Sequence, residues 1–230
     1  LHSLLGTFRT AVPAYASGDM WRSLGPDELR TAIFRHREAG FNAFKIRIGG
    51  QENSSAEMLR LSAARDAAGM DVLIADANQA WNVSAATMIC PSLLEFDLAW
   101  LEDPVPNDLL SQLPPLVGQR PPICAGEHCY NTQSVTELLD AKAIDILMLD
   151  VFRVGGVSGW IRCAEIAQTA GITVVSHLCP EVSIHLMAAT KNAWMMEYLP
   201  ASERLFASRL ELHQGSIIAP TTAGLGLELH

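Results

Sequence analysis

The sequence predicts an α/β fold: a parallel barrel of the TIM type. Apolar runs of strand length alternate with helical stretches eight times, at a period of roughly 25 residues. Such alternation calls for parallel strands, and eight units close a barrel. The chain has 230 residues and is 49% apolar, which suits one large domain with a substantial core. Ionisable side chains also gather at the C-terminal ends of the runs, the rim where such barrels place their chemistry. A doubly wound open sheet is the alternative, weakened because no GxGxxG turn follows a strand. No linker divides the chain. Residues 1–230 form one domain in this reading, with the barrel over about 10–200 and a tail over 201–230.

The elements follow in order. Val12 to Ser17 is the first strand. Gly25-Pro26-Asp27-Glu28 opens a helix, because proline fits the first turn and acidic residues there complement the dipole. Leu29, Ala32, Ile33 and His36 share its inner face, and Gly40 ends it. Ala43 to Ile48 alternates strictly: Phe44, Ile46 and Ile48 point one way, Ala43, Lys45 and Arg47 the other. A helix runs from about Ser54 to Ala68, and the third strand from Val72 to Asp76. A helix from about Val83 to Phe96 leads to the fourth strand, Leu98 to Leu101, ending at Glu102. Proline-rich loops with Pro104, Pro106, Pro114 and Pro115 flank a short helix. The fifth strand starts at Pro122 and ends near Glu127. Gln133 to Ala141 is helical, and Ile144 to Asp150 is the sixth strand. Gly155-Gly156 opens a helix with Val157, Trp160, Ile161, Ala164 and Ala167 as its apolar stripe, stopped by Gly171. Ile172 to His177 is the seventh strand, Val182 to Ala189 a helix, and Ala193 to Tyr198 the eighth strand. The tail from Leu210 to His230 is Gly-rich and strand-like, without a further helix.

Composition excludes some function classes. The formal net charge is −9 and no Lys/Arg cluster is present, so nucleic acid and anionic membrane are not expected partners. No apolar run reaches the ~18 residues of a membrane-spanning helix. No basic-then-apolar leader precedes the first strand. Five cysteines (Cys90, Cys124, Cys129, Cys163, Cys179) make no regular framework, and an odd count fits a reducing, cytoplasmic setting.

Three runs end in carboxylates: Asp76, Glu102 and Glu127, at spacings of 26 and 25 residues. On parallel neighbouring strands these groups stand at one edge, where they repel unless a cation lies between them. Oxygen-only ligands suit a hard ion such as Mg2+. The other strand ends supply Ser17, Lys45, Arg47, Asn78, Asp150, His177 and Glu197. Each alone is an ordinary loop or capping residue, and only the shared register gives the set meaning. Lys45 and Arg47 point into the barrel and need an anion, either a substrate carboxylate or the carboxylate cluster. Asp150 and His177 end adjacent strands, and a carboxylate on one imidazole nitrogen makes the other a general base. Glu197, on the far side, suits an acid that hydrogen-bonds a developing oxyanion. Such a site abstracts a proton next to a carboxylate.

The stretches FKIRIG, DANQAW, WLEDPVP, AGEH, LDVFRVGGVSGW, SHLCPEVSIHLMAA and AGLGLEL resemble the enolase superfamily, specifically its mandelate racemase subgroup. They span about residues 10 to 230. The resemblance implies a (β/α)7β barrel without the eighth helix, Mg2+ on Asp76, Glu102 and Glu127, and Lys45 on the substrate carboxylate. It further implies a His177–Asp150 base dyad, Glu197 as the opposing acid, Asn78 close to substrate, and a homo-oligomer. Ser17 is a further candidate for substrate contact.

Two departures bear on function. Mandelate racemases carry Lys-x-Lys on the second strand, with the second lysine as a base; here that position is Arg47. A guanidinium is a poor base, so one-base chemistry is expected: dehydration of a sugar acid to a 2-keto-3-deoxy acid. The alternative is a racemase or epimerase of a 2-hydroxy acid, and the alternative of another class is a non-catalytic or truncated metal-binding barrel. The family also carries a capping domain before the first strand, whereas Leu1 lies only about ten residues before it here. The tail that would meet the cap is therefore expected to expose apolar surface.

Overall fold

The computed structural model describes residues 1–50, 54–113 and 119–230. Pro114 and Pro115 lie outside the described residues. The parallel strands run in chain order around the barrel: β1 (Ala11–Ala16), β2 (Ala43–Arg47), β3 (Val72–Asp76), β4 (Leu101–Glu102), β5 (Ile123–Ala125), β6 (Ile146–Asp150), β7 (Thr173–His177) and β8 (Met196–Tyr198). β8 pairs with β1. The bridge from Val174 to Ala193, with Trp194 N–H donating to Val174 O at 2.9 Å, closes the ring. The helices are α1 (His2–Leu5), α2 (Pro26–Glu38), α3 (Ser54–Ala68), α4 (Val83–Leu93), α5 (Thr132–Asp140), α6 (Gly156–Thr169) and α7 (Pro180–Ala189). No α-helix follows β8 among the described residues, so the architecture is the expected (β/α)7β barrel.

Strand alternation splits the core in two. Tyr15, Ala43, Ile74, Trp100, Cys124, Ile146, Met148, Val175 and Met195 fill the barrel interior. Their neighbours Phe44, Ile46, Leu73, Ala75, Leu147, Leu149, Val174 and Met196 face the helices. This period of two decides where the charges go. Lys45 and Arg47 share the parity of Ala43, Asp76 that of Ile74, and Glu102 that of Trp100. Asp150 shares the parity of Met148, His177 that of Val175, and Glu197 that of Met195. All therefore enter the barrel above its apolar plug.

Several boundaries differ from the sequence expectation. The helix expected to reach Phe96 ends at Leu93, followed by a 3-10 turn over Leu94–Phe96. Pro91 sits in the last turn and has no N–H, so the chain tightens to shorter bonds there. The short helix after β4 is also 3-10, over Asn107–Gln112. β4 and β8 are shorter than their apolar runs. The tail forms a hairpin, β9 (Leu212–His213) and β10 (Ser216–Ile218), whose second strand pairs antiparallel with the first half of β1. Leu205 and Leu229 are exposed, at 55% and 71%.

α1 escaped the sequence reading, and a histidine pair anchors it. His2 stacks on His185 of α7, with centroids 5.5 Å apart. His2 N–H donates to His185 Nδ1 at 3.3 Å, so His185 carries its proton on Nε2 and donates to Leu225 O at 2.9 Å. Burial pushes the His185 pKa down, and the bond to Leu225 offsets this only in part. A folded state that prefers neutral histidine is fully stabilised above the unfolded value near 6.5 and loses that term as pH falls through it. The His185 contribution should therefore be lost between about pH 7 and 5, and the difference in unfolding temperature between wild type and His185→Gln should shrink over that window in scanning calorimetry.

Candidate active site

Register assembles the polar layer. Arg47 lies opposite Asp76, Asp76 opposite Glu102, and Asp150 opposite His177. Tyr15 lies opposite Glu197. Glu127 is the exception, two residues beyond the end of β5 and off its inward parity. Gly126, at φ +124°, re-aims the chain. A Cβ at Gly126 would stand 2.7 Å from Leu147 Cδ1 and 2.8 Å from Met148 O. Gly126→Ala should thus cost about 1–3 kcal/mol in urea unfolding, from strain and clash together.

Lys45 is the hub. It is 1% exposed, and its Nζ lies 2.6 Å from Glu102 Oε1, 2.7 Å from Glu197 Oε1 and 3.6 Å from Asp76 Oδ2. Burial works against its charge, but Glu102 and Glu197 outweigh it and hold the pKa above the ordinary value. Arg47 pairs with Asp76 and stacks its guanidinium over Trp21, 5.6 Å from the ring centre. Trp100 Nε1 donates to Glu102 Oε2 at 3.2 Å. Ser17 Oγ donates to Glu197 Oε1 at 2.7 Å, and Leu178 N–H to Oε2 at 2.8 Å. Burial alone would raise the Glu197 pKa, yet Lys45 and His177 bring it down to about 2. Lys45 Nζ at 2.7 Å and the Leu178 N–H thus favour the carboxylate form of Glu197 in this arrangement. Asn78 is exposed, at φ 47°, and reaches the cluster through its backbone, whose N–H donates to Asp76 Oδ1 at 2.6 Å.

The dyad is assembled. His177 Nδ1 lies 2.8 Å from Asp150 Oδ2, while Asp150 Oδ1 accepts from the N–H groups of Phe152 at 2.8 Å and Arg153 at 3.0 Å. His177 Nε2 lies 3.1 Å from Glu127 Oε2. Burial opposes the imidazolium, but the bond to Asp150, with Glu197 and Glu127 nearby, raises the His177 pKa. Burial likewise opposes ionisation of Asp150, and His177 with the two backbone donors more than offsets it, so its pKa is lowered. Burial raises the pKa of Glu127 against the pull of His177.

Three neighbours escaped the sequence reading. Arg153 Nη1 contacts Glu127 Oε1 at 3.2 Å and Glu127 O at 3.1 Å. Asp103 is 2% exposed and at φ 39°. His128 Nε2 lies 3.5 Å from Asp103 Oδ2 and 3.3 Å from Glu127 Oε1. The Asp103 carboxylate, with Glu127 nearby, raises the His128 pKa against burial. Asp103 and His128 each directly follow a carboxylate chosen as a metal ligand, and that adjacency was the available cue.

The donor set fits a hard dication. Asp76, Glu102 and Glu127 are 1%, 1% and 5% exposed and offer only oxygen. Among the described residues, Asp76 Oδ2 is buried without a hydrogen bond and meets the cationic groups of Lys45 and Arg47. The three groups are not drawn to mutual ligand distance, however. The trio whose ligand atoms lie within 4.8 Å of one another, among the described residues, is Asp103, Glu127 and His128.

A closed parallel barrel with buried carboxylates and a His–Asp pair on its C-terminal rim defines a class of barrel proteins built for acid–base chemistry. Residues 28–230 match the family described as enolase C-terminal domain-like, and the chain belongs to that family. It is 29% identical over 231 residues to the L-talarate/galactarate dehydratase of Salmonella typhimurium, covering 100% of this chain and 58% of that protein. Among solved structures, an L-talarate dehydratase from Polaromonas complexed with Mg and L-glucarate superposes with a TM-score of 0.92 at 30% identity, covering 100% of this chain and 64% of that one. An enolase from Bradyrhizobium complexed with magnesium and mandelic acid superposes at 0.90 with 32% identity, covering 99% and 63%. The chain thus spans about three fifths of the length of these relatives.

Proposed function

We propose that the protein catalyses Mg2+-dependent abstraction of the proton next to a carboxylate, followed by loss of water from a sugar acid. The observation that carries this reading is the one-sided base. His177 has Asp150 on Nδ1 and directs Nε2 into the site, whereas the neighbouring β2 position holds Arg47, paired to Asp76. In this reading Asp76, Glu102 and Glu127 hold the ion. When bound, it supplies Lewis-acid stabilisation of the charge that builds on the substrate carboxylate.

The chain's own residues carry the rest. Lys45 and Arg47 neutralise the carboxylate end of the substrate, with Ser17 and Asn78 at the rim beside it. His177 Nε2 takes the α-proton, and the C–H electron pair becomes the C2–C3 double bond as the 3-hydroxyl leaves. The imidazolium returns its proton to that hydroxyl, so water departs and the enol product becomes a 2-keto-3-deoxy acid. Asp150 holds the imidazole tautomer throughout. Glu197 keeps Lys45 in place. The same reading assigns all of residues 1–230 to one catalytic domain. It places the protein in the cytoplasm without a nucleic-acid partner, supported by the net charge of −9 and the irregular cysteine set. It makes the protein a homo-oligomer acting on a small carboxylate, by analogy with its family and with relatives complexed with L-glucarate and mandelic acid.

The second reading, a racemase or epimerase of a 2-hydroxy acid, is supported by the similarity to the Bradyrhizobium protein complexed with mandelic acid. Proton NMR in D2O with Mg2+ separates them, using L-talarate, galactarate, L-glucarate and mandelate. Loss of the α-proton signal with a new keto acid supports dehydration. Loss without a keto acid supports racemisation and removes the role given to Arg47. No change in any sample favours the non-catalytic barrel.

A further inference from the structure

We propose that Asp103, Glu127 and His128 form a second divalent-cation site, one that takes an ion accepting nitrogen as well as oxygen ligands, such as Mn2+, Co2+ or Zn2+. The inference goes beyond the proposed function and shares only Glu127 with it. The ligand atoms of the three residues all lie within 4.8 Å of one another. Asp103 supplies the independent sign of a ligand. Its Oδ2 is buried and accepts no hydrogen bond, and its nearest ionisable partner is His128 Nε2 at 3.5 Å, too far for a good bond. A buried carboxylate oxygen in that state is costly unless a cation meets it.

The backbone holds Asp103 firmly. Its N–H donates to Cys124 O at 3.0 Å, its carbonyl accepts from Gln79 N–H at 2.7 Å, and its φ of 39° is one that a non-glycine residue adopts only under constraint. Glu127 divides its two oxygens. Oε2 lies 3.1 Å from His177 Nε2, and Oε1 lies 3.3 Å from His128 Nε2. A carboxylate with one oxygen on each side can serve two ions. One imidazole with two carboxylates is a mixed nitrogen and oxygen set, which favours first-row transition ions and Zn2+ over Mg2+.

Charge points the same way. Asp76, Glu102, Asp103, Glu127, Asp150 and Glu197 are six buried carboxylates facing Lys45, Arg47 and Arg153. One dication leaves that set net negative when the histidines are neutral. Arg153 is the competitor: its Nη1 lies 3.2 Å from Glu127 Oε1, so the second ion must displace or share that contact.

The test is the number of Co2+ ions bound per chain in equilibrium dialysis at saturating Co2+, followed by elemental analysis. We expect two in the wild type, one in His128→Ala, and one in Asp76→Asn/Glu102→Gln. Asp103→Asn should also bind one, which guards against a folding defect peculiar to His128→Ala. Two ions retained in both His128→Ala and Asp103→Asn would overturn the proposal. A single ion in the wild type that vanishes with Asp76→Asn/Glu102→Gln and survives His128→Ala would overturn it and leave the Mg2+ reading standing. A single ion that vanishes with His128→Ala and survives Asp76→Asn/Glu102→Gln would support this site and remove the Asp76–Glu102 reading instead.

Discussion

Lys45→Met should destabilise the protein by roughly 3–5 kcal/mol, the cost of removing one partner from a buried ion pair. The ammonium is 1% exposed and touches Glu102 and Glu197 at 2.6 and 2.7 Å. Methionine fills the space but leaves two carboxylates facing each other without their counter-charge. Urea unfolding at pH 7 should show a lower midpoint with an unchanged slope. The pH dependence follows from Glu197, whose pKa is held at about 2 by Lys45 and His177 against burial. A carboxylate with a depressed pKa contributes stability above its unfolded value near 4.3 and loses it as pH falls toward the folded value. The gap between wild type and variant should therefore be widest near neutrality and shrink below about pH 4.5. A loss under about 1 kcal/mol at pH 7, or a gap that widens in acid, would show that Lys45 does not balance these carboxylates.

Much of this arrangement was legible because a strand has a period of two. Once Ala43 or Val175 is placed inside the barrel, Lys45 and His177 must follow, and no tertiary information is needed. Eight repeats of that logic gave the barrel and most of its rim. Where the period fails, parity alone gives no placement, and Glu127 entered only as the carboxylate that ends an apolar run. Glu127 does not share the inward parity of β5, because Gly126 turns the chain at φ +124°. Asp103 and His128 escaped for a related reason: they follow strand-end residues and belong to no alternation. Their side chains converge where Asp103 takes a left-handed φ of 39°, which composition does not announce. α1 has four residues and no periodicity to detect. Its anchor is His185, which is 183 positions away in sequence. The state of Glu197 depended on distance rather than on order. Order alone offers Glu197 as a candidate acid, whereas a lysine 2.7 Å away favours its carboxylate form.

His177→Asn should lower α-proton exchange by about 10²–10⁴-fold, the usual contribution of a positioned base, with little change in unfolding temperature. Asp150→Asn discriminates more sharply. Asp150 Oδ1 accepts two backbone N–H groups and Oδ2 contacts His177 Nδ1. An amide can keep its oxygen on the backbone donors, and its NH2 then faces Nδ1. The imidazole must answer with Nδ1 as acceptor, which puts the proton on Nε2, the atom that has to receive the substrate's proton. The base would be present, correctly placed and in the wrong tautomer. Exchange should fall nearly as far as in His177→Asn while bound substrate and folded stability change little. An Asp150→Asn variant that exchanges at the wild-type rate would mean that the carboxylate only caps the 152–153 turn, and the base would have to be sought elsewhere on the rim.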